Sequence, residues 1–205
     1  MVRTVDSINA AVDELARREK AFAAVLERHG RPEPRVSEPG ATTLLRTIVG
    51  QQVSVAAARS MWAKLEAAYG APPDLERILQ ASDGDLRLAG LSRQKAGYAR
   101  SLAELVLSGE LDLERLPEDD EEAIARLTRI KGIGRWSAEI YLLFAEGRTD
   151  IWPAGDLAVQ IEIGRLLGLD SKPSEKQLRD LAEAWRPHRG AVAVLAWHSY
   201  NSAVL

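Results

Sequence analysis

Apolar residues recur at helical spacing along almost the whole chain, and few stretches alternate apolar and polar as a strand does. That pattern confines the chain to an all-α fold. The spacing predicts an amphipathic helix over 7–28, with Ile8, Val12, Leu15, Phe22, Val25 and Leu26 near one face, Ser7 as its cap and Gly30 as its stop. A Pro-rich connector, 31–40, follows. Further helices are expected at about 42–51, 54–69, 74–81, 83–88 and 92–108, the last capped by Ser92. Pro117 then opens the acidic run Glu118–Glu122. We read that run as the first turn of a helix reaching about 128, its carboxylates set at the positive end of the helix dipole. Segments at about 135–146, 156–168, 174–185 and 189–202 complete roughly ten helices, with no internal repeat.

Composition removes several chemistries. The chain has no cysteine, so disulfides, thiolate metal sites, iron–sulfur clusters and a cysteine nucleophile are excluded. His29, His188 and His198 are too few and too scattered to suggest a metal centre. No stretch approaches the ~20 apolar residues of a membrane span, and charges interrupt the first twenty residues too often for a signal peptide. The expected location is therefore a reducing cytoplasm, with no membrane partner. The formal net charge of −3 is the wrong sign for a polyanion ligand. Any such ligand must be met by a local patch or by backbone donors.

Residues 127–137, Leu-Thr-Arg-Ile-Lys-Gly-Ile-Gly-Arg-Trp-Ser, offer both. Two glycines flank Ile133 between a helix running in and a helix running out. Gly132 and Gly134 let another backbone approach closely. The helix starting near Arg135 leaves its first N–H groups without intrahelical partners, which suits a phosphate. Ile133 plugs the turn into the core, and Arg129, Lys131 and Arg135 add local positive charge. The segment resembles the helix–hairpin–helix motif, a sequence-independent grip on the DNA backbone. Phosphate contacts of this kind set position and carry no base information.

Twenty residues after Trp136 comes Pro153-Ala154-Gly155-Asp156-Leu157. By position alone, Asp156 is a natural N-cap for the helix that follows. Paired with the hairpin, the segment reads differently. Gly-Ile-Gly-Arg-Trp-Ser-Ala with Pro-x-Gly-Asp-Leu downstream resembles the helix–hairpin–helix DNA glycosylase superfamily, and within it the DNA-3-methyladenine glycosylase II group. The resemblance covers roughly 40–202 and takes in Ile48–Ser54, Ala89–Ala96 and Trp185–Gly190.

The resemblance implies two lobes with an active-site cleft between them: an interior lobe at about 40–110, and a second lobe of 1–39 plus 111–205 that carries the hairpin motif at about 121–146. The whole is expected to be one glycosylase domain. It also implies double-stranded DNA with alkylated bases as partner, no obligate protein partner, a monomer, no cofactor, and base excision after base flipping. Asp156 becomes the catalytic carboxylate, and Trp136 and Trp197 the base-pocket candidates. Gln51, Gln52, Lys131, Gly132, Gly134, Arg135 and Ser137 become the DNA contacts. Gln52 stands where the group places the wedge that fills the flipped base's gap, and Gln51 is expected at the opposite strand or a neighbouring base. No metal is expected on side chains, although such hairpins hold a monovalent cation on backbone carbonyls.

Trp62 and Trp185 read as core. Trp152 is expected either beneath the Asp156 loop or lining the pocket. Arg93, Lys95, Arg186 and Arg189 are either further phosphate contacts or ordinary surface charges. Strand-cutting relatives carry a Schiff-base lysine just after Gly-x-Gly-Arg. Trp136 occupies that place, so the expectation is a monofunctional enzyme. The chain also leaves no room for the N-terminal α+β domain found in the group's bacterial form. The rival readings are a non-catalytic DNA-docking module and a glycosylase for oxidised or mismatched bases.

Overall fold

The computed structural model describes residues 5–33 and 35–204, with side chains for 8–33 and 35–202. Among the described residues the chain is all-helical: twelve α-helices and a short 3-10 turn, with no strand. Two compact units emerge, Met1–Val36 with Leu142–Leu205, and Ser37–Tyr141.

The 37–141 unit contains α3 (Ala41–Gly50), α4 (Val55–Tyr69), α5 (Leu75–Gln80), α6 (Asp83–Leu88), α7 (Arg93–Leu107), α8 (Asp120–Leu127) and the start of α9 (Arg135–Phe144). Polar caps set the starts. Ser54, Asp74, Ser82, Ser92 and Asp119 each accept a backbone N–H from the first turn of the following helix. The acidic run behaves as expected, with Asp120, Glu121 and Glu122 in the first turn of α8. Helix α7 packs against α3, α5 and α6. Its buried face is mostly small, Ala96, Ala99, Ser101 and Ala103 beside Leu102, which lets those neighbours approach. Leu44, Leu45, Ile48, Leu65, Ile78, Leu86, Leu127 and Ile130 are fully buried here.

The other unit contains α1 (Val5–Arg18), α2 (Lys20–His29), α10 (Leu157–Leu166), α11 (Glu175–Ala182), the 3-10 turn Glu183–Trp185 and α12 (Arg189–Val204). Helix α12 packs against α1, α2 and α10. Ala191, Val192, Ala193, Leu195 and Ala196 are all buried, the mark of a helix apolar around most of its circumference and enclosed by others.

Four expectations need correction. The helix expected over 7–28 is two helices, broken at Glu19, whose backbone is extended. The break lets Leu15 and Phe22 both reach zero exposure in one core, and Arg18 donates to the Ala184 carbonyl beside it. Ser7 lies inside α1 rather than at its cap. The segment 174–185 ends as a 3-10 turn after α11, which a Ser174–Gln177 capping box opens. The helix count therefore exceeds ten. The Gly30 stop holds, with its N–H returning to the Leu26 carbonyl. The hairpin packs within the 37–141 unit, whereas the sequence had grouped it with the second lobe.

Candidate active site

The hairpin runs from Thr128 to Gly134, between α8 and α9. It is built on two buried isoleucines, Ile130 and Ile133, with the Ile133 N–H donating to the Ile130 carbonyl at 3.0 Å. Gly132 has φ +86°, and a Cβ placed there would lie 2.2 Å from the Tyr98 ring. Both facts demand glycine: the left-handed backbone and the aromatic floor. Gly134 is different, since a Cβ there meets nothing within 4 Å. Its bareness is directed outward.

Three polar contacts hold the turn. The Lys131 N–H donates to Ser101 Oγ at 3.1 Å. The Gln51 side-chain amide donates to the Gly132 carbonyl at 2.8 Å. The Ala138 N–H reaches the Gly134 carbonyl at 3.0 Å, which makes Gly134 the residue from which α9 starts. The N–H groups of Arg135, Trp136 and Ser137 come before that first intrahelical bond, at the positive end of the dipole.

The charges around the turn differ in availability. Lys131 is exposed and makes no ion pair among the described residues. Arg129 is paired with Glu110. Arg135 is gripped by Glu121 and by the buried Glu139, the latter at 2.9 Å. Hydrogen bonding to Glu121 leads the effects that raise its pKa still further. Its guanidinium is thus already matched by carboxylates.

Gln51 and Gln52 lie in the turn between α3 and α4. Gln52 is exposed and has φ +55°, the one non-glycine residue with positive φ among the described residues. A long side chain held in that sparsely populated region marks a position fixed by its surroundings. Gln51 turns the other way, onto the hairpin. Its side chain thus ties the α3–α4 turn to the hairpin. Trp136 stands on the first turn of α9, 48 % exposed.

Asp156 lies in the other unit and ends a buried segment. Trp152, Pro153 and Ala154 are buried, the Asp156 N–H donates to the Pro153 carbonyl at 2.9 Å, and Gln160 Nε2 holds the Ala154 carbonyl at 2.8 Å. Asp156 caps α10, with Oδ1 accepting the Val159 N–H at 2.9 Å. The same oxygen accepts the Trp197 Nε1–H at 3.1 Å. Trp197 stands 5.8 Å from Phe144, ring to ring, and borders a cavity of about 210 Å³ with Phe144, Val194 and His198. Asp156 is partly exposed, so it is oriented without being enclosed.

The remaining aromatic and basic candidates resolve. Trp62 and Trp185 are buried as expected. Trp152 is core: 4 % exposed, edge-on to Trp185, with its N–H on the Leu178 carbonyl. Lys95 donates to the Val49 carbonyl at 2.7 Å, and burial lowers its pKa. Arg186 and Arg189 converge on Asp150, with Arg189 Nη2 at 2.8 Å, and so hold the chain ahead of Asp156. Gly190 is pressed onto the same stretch, where a Cβ would sit 2.8 Å from the Thr149 carbonyl.

The structure therefore joins Gln51 to the hairpin and Trp197 to Asp156. Sequence reasoning missed the supports: Tyr98, Ser101, Glu121, Glu139 and Asp150. Only the first left a trace, because a glycine in a tight turn between two helices implies a close neighbour without naming it. Among the described residues no three His, Asp or Glu side chains gather as a metal site, and no helix is long and apolar enough to cross a membrane.

Residues 45–187 match the family described as HhH-GPD superfamily base excision DNA repair protein. A putative DNA-3-methyladenine glycosylase of Bacillus subtilis is 26 % identical over 87 % of this chain, which spans 65 % of that relative's length. The solved structure of a DNA-3-methyladenine glycosidase from Bacillus halodurans aligns with a TM-score of 0.83 at 31 % identity, covering 95 % of this chain and 90 % of that one. The Schizosaccharomyces pombe 3-methyladenine DNA glycosylase bound to abasic DNA aligns with a TM-score of 0.77 at 27 % identity, covering 96 % and 97 %.

Proposed function

Because the chain belongs to the HhH-GPD superfamily of base excision DNA repair proteins, we propose that it is a DNA glycosylase that hydrolyses the N-glycosidic bond of alkylated bases of the 3-methyladenine type. The observation that carries this reading is Asp156, whose Oδ1 is fixed by the Trp197 indole and the α10 N-terminus. The relatives' names and the S. pombe protein's DNA complex support the substrate class.

Breaking the bond between sugar C1′ and the base leaves a cationic, oxocarbenium-like sugar. A carboxylate held beside C1′ stabilises that charge and orients water for attack. Glycoside hydrolysis ordinarily needs a second carboxyl as acid. An alkylated base such as 3-methyladenine already carries positive charge and leaves without protonation, so one carboxylate suffices. Electron-rich indoles, Trp136 and Trp197, suit a cationic base through stacking and cation–π attraction.

The DNA contacts follow the hairpin. Gly134 and the leading N–H groups of α9 through Ser137 receive a phosphate, with Lys131 beside it. Gly132 fixes the turn, Arg135 contributes through its backbone, and Gln52 fills the gap left by the everted base. Hairpin carbonyls are the place for a monovalent cation. Trp136 cannot form a Schiff base, so the enzyme is monofunctional and leaves an abasic site. It acts as a monomer on the DNA of a cytoplasmic nucleoid.

The test incubates the protein with methylated duplex DNA and identifies the free bases released, beside Asp156→Asn. Release of 3-methyladenine by the wild type alone supports the reading. Release by neither protein, or equally by both, overturns it. Borohydride treatment should trap no covalent adduct.

A further inference from the structure

On the flank of the α3–α4 turn lies a cavity of about 390 Å³ with no role in the chemistry above. The exposed Val53 and Val55 form part of its wall, and Trp62 lies deeper, 7 % exposed. The Arg46 guanidinium sits over the Trp62 ring, 4.1 Å from its centroid. Glu66 accepts the Trp62 Nε1–H at 2.6 Å and lies 3.6 Å from Arg46 Nη2. One carboxylate thus grips the indole edge and the guanidinium together and holds the cation over the ring. The Arg46 side chain remains 57 % exposed. Arg59, at the same cavity, is exposed and makes no ion pair among the described residues.

A guanidinium backed by an indole and open on its other side is a stacking platform: planar, cationic, with donors at its rim. Nucleobases stack on such groups whatever their identity. Arg46, Arg59 and Glu66 also give the cavity a net positive lining in a chain of net charge −3, with Arg59 the cation left to meet an anion. The cavity includes Gly50 and Val53, on either side of Gln51 and Gln52. When Gln52 occupies the gap of an everted base, the nucleotide across from it loses its partner and needs cover. We propose that the Arg46–Trp62 cavity receives that nucleotide of the undamaged strand, its base against the Arg46 guanidinium and its phosphate paired by Arg59. The inference rests on the glycosylase reading and on Gln52 as the wedge.

The test uses the full chain and three synthetic duplexes: undamaged, with a tetrahydrofuran abasic analogue opposite thymine, and with the analogue opposite a second analogue. Wild-type protein should bind the thymine-opposed duplex about tenfold tighter than the doubly abasic one. Arg46→Met and Arg46→Lys should each reduce that ratio to below about twofold, because lysine keeps the charge but not the plane. Arg59→Gln should weaken both abasic duplexes alike and lower the salt slope of binding by about one. Unchanged thermal unfolding of Arg46→Lys shows that the loss is one of contact. If the wild type prefers abasic over undamaged duplex but ignores the opposite base, or if the Arg46 variants keep the tenfold ratio, the cavity assignment is overturned and the glycosylase reading stands. If the wild type shows no preference for either abasic duplex, the reading beneath the proposal fails and the proposal fails with it.

Discussion

Trp197 donates its indole N–H to Asp156 Oδ1 across 3.1 Å, onto the same oxygen that accepts the Val159 N–H capping α10. The carboxylate proposed for catalysis is therefore also a helix cap, and the two roles are separable by substitution. Asparagine caps a helix as well as aspartate does. Asp156→Asn should leave stability within about 0.5 kcal/mol of wild type, keep binding to damaged duplex, and lower excision at least about a hundredfold. Asp156→Ala should lose activity and about 1 kcal/mol of stability as well. Urea unfolding and single-turnover base release distinguish the two. Full activity in Asp156→Asn would leave the residue as a cap alone.

Trp197→Phe removes the donor while keeping an aromatic ring beside Phe144. The carboxylate loses the indole N–H that orients it and keeps the Val159 N–H. We expect a fall of about tenfold in kcat, with KM for methylated DNA little changed and a stability loss of about 1 kcal/mol. A change confined to KM would place the indole in substrate binding rather than in orienting Asp156.

Much of this was legible in the sequence. The helical period gave the class, and polar caps such as Ser92 and Asp156 gave element starts because capping is local chemistry. The break at Glu19 was not legible, since Arg17-Arg18-Glu19-Lys20 contains no glycine or proline and the break serves tertiary packing of Leu15 and Phe22. The candidate site divides the same way. Gly132 announced a tight turn, but its floor on Tyr98 and its tie to Gln51 join residues far apart in sequence. Arg135 read as a positive charge at the hairpin, but its carboxylate partners Glu121 and Glu139 cannot be inferred from charge alone.

Arg135 and Lys131 should accordingly behave differently. Lys131→Ala should weaken binding to every DNA sequence alike, lower the salt slope by about one, and leave unfolding unchanged. Arg135→Ala takes a shared cation from Glu121 and the buried Glu139 and should cost about 1–2 kcal/mol of stability, the partial exposure of Arg135 limiting the loss. Salt titrations of binding and thermal unfolding of both variants provide the comparison. A stable Arg135→Ala with a reduced salt slope would return Arg135 to the phosphate contacts.

Glu162 sets an acid-sensitive point in the other unit. It is 1 % exposed, and burial alone would raise its pKa, but hydrogen bonds from Arg165 and Ser199 and the charge of Arg165 outweigh that and leave it below the ordinary carboxylate value. A carboxyl with a lowered folded pKa contributes stability that is present above its unfolded pKa and is lost as pH falls through the folded one. Wild-type unfolding free energy should therefore keep this contribution from neutral pH down to the ordinary carboxylate range and lose it as pH falls further. Glu162→Gln should be less stable at neutral pH and show a shallower decline. An identical slope in both proteins would mean that other carboxylates carry the acid response.

The two hairpin glycines make the sharpest pair. At Gly132 a methyl group meets the Tyr98 ring at 2.2 Å on a backbone of φ +86°, so Gly132→Ala should cost several kcal/mol or prevent folding. Adding Tyr98→Ala should recover only part of that, because the ring clash goes and the backbone strain of about 1 kcal/mol stays. At Gly134 the same methyl group meets nothing within 4 Å, so Gly134→Ala should fold as wild type does. It nevertheless places a methyl group where a phosphate must approach the leading N–H groups of α9. Its DNA affinity should therefore fall about tenfold, for damaged and undamaged duplex alike, with no change in unfolding temperature. Undiminished affinity in Gly134→Ala would mean that this turn does not hold the DNA backbone, and the hairpin's glycines would then serve packing alone.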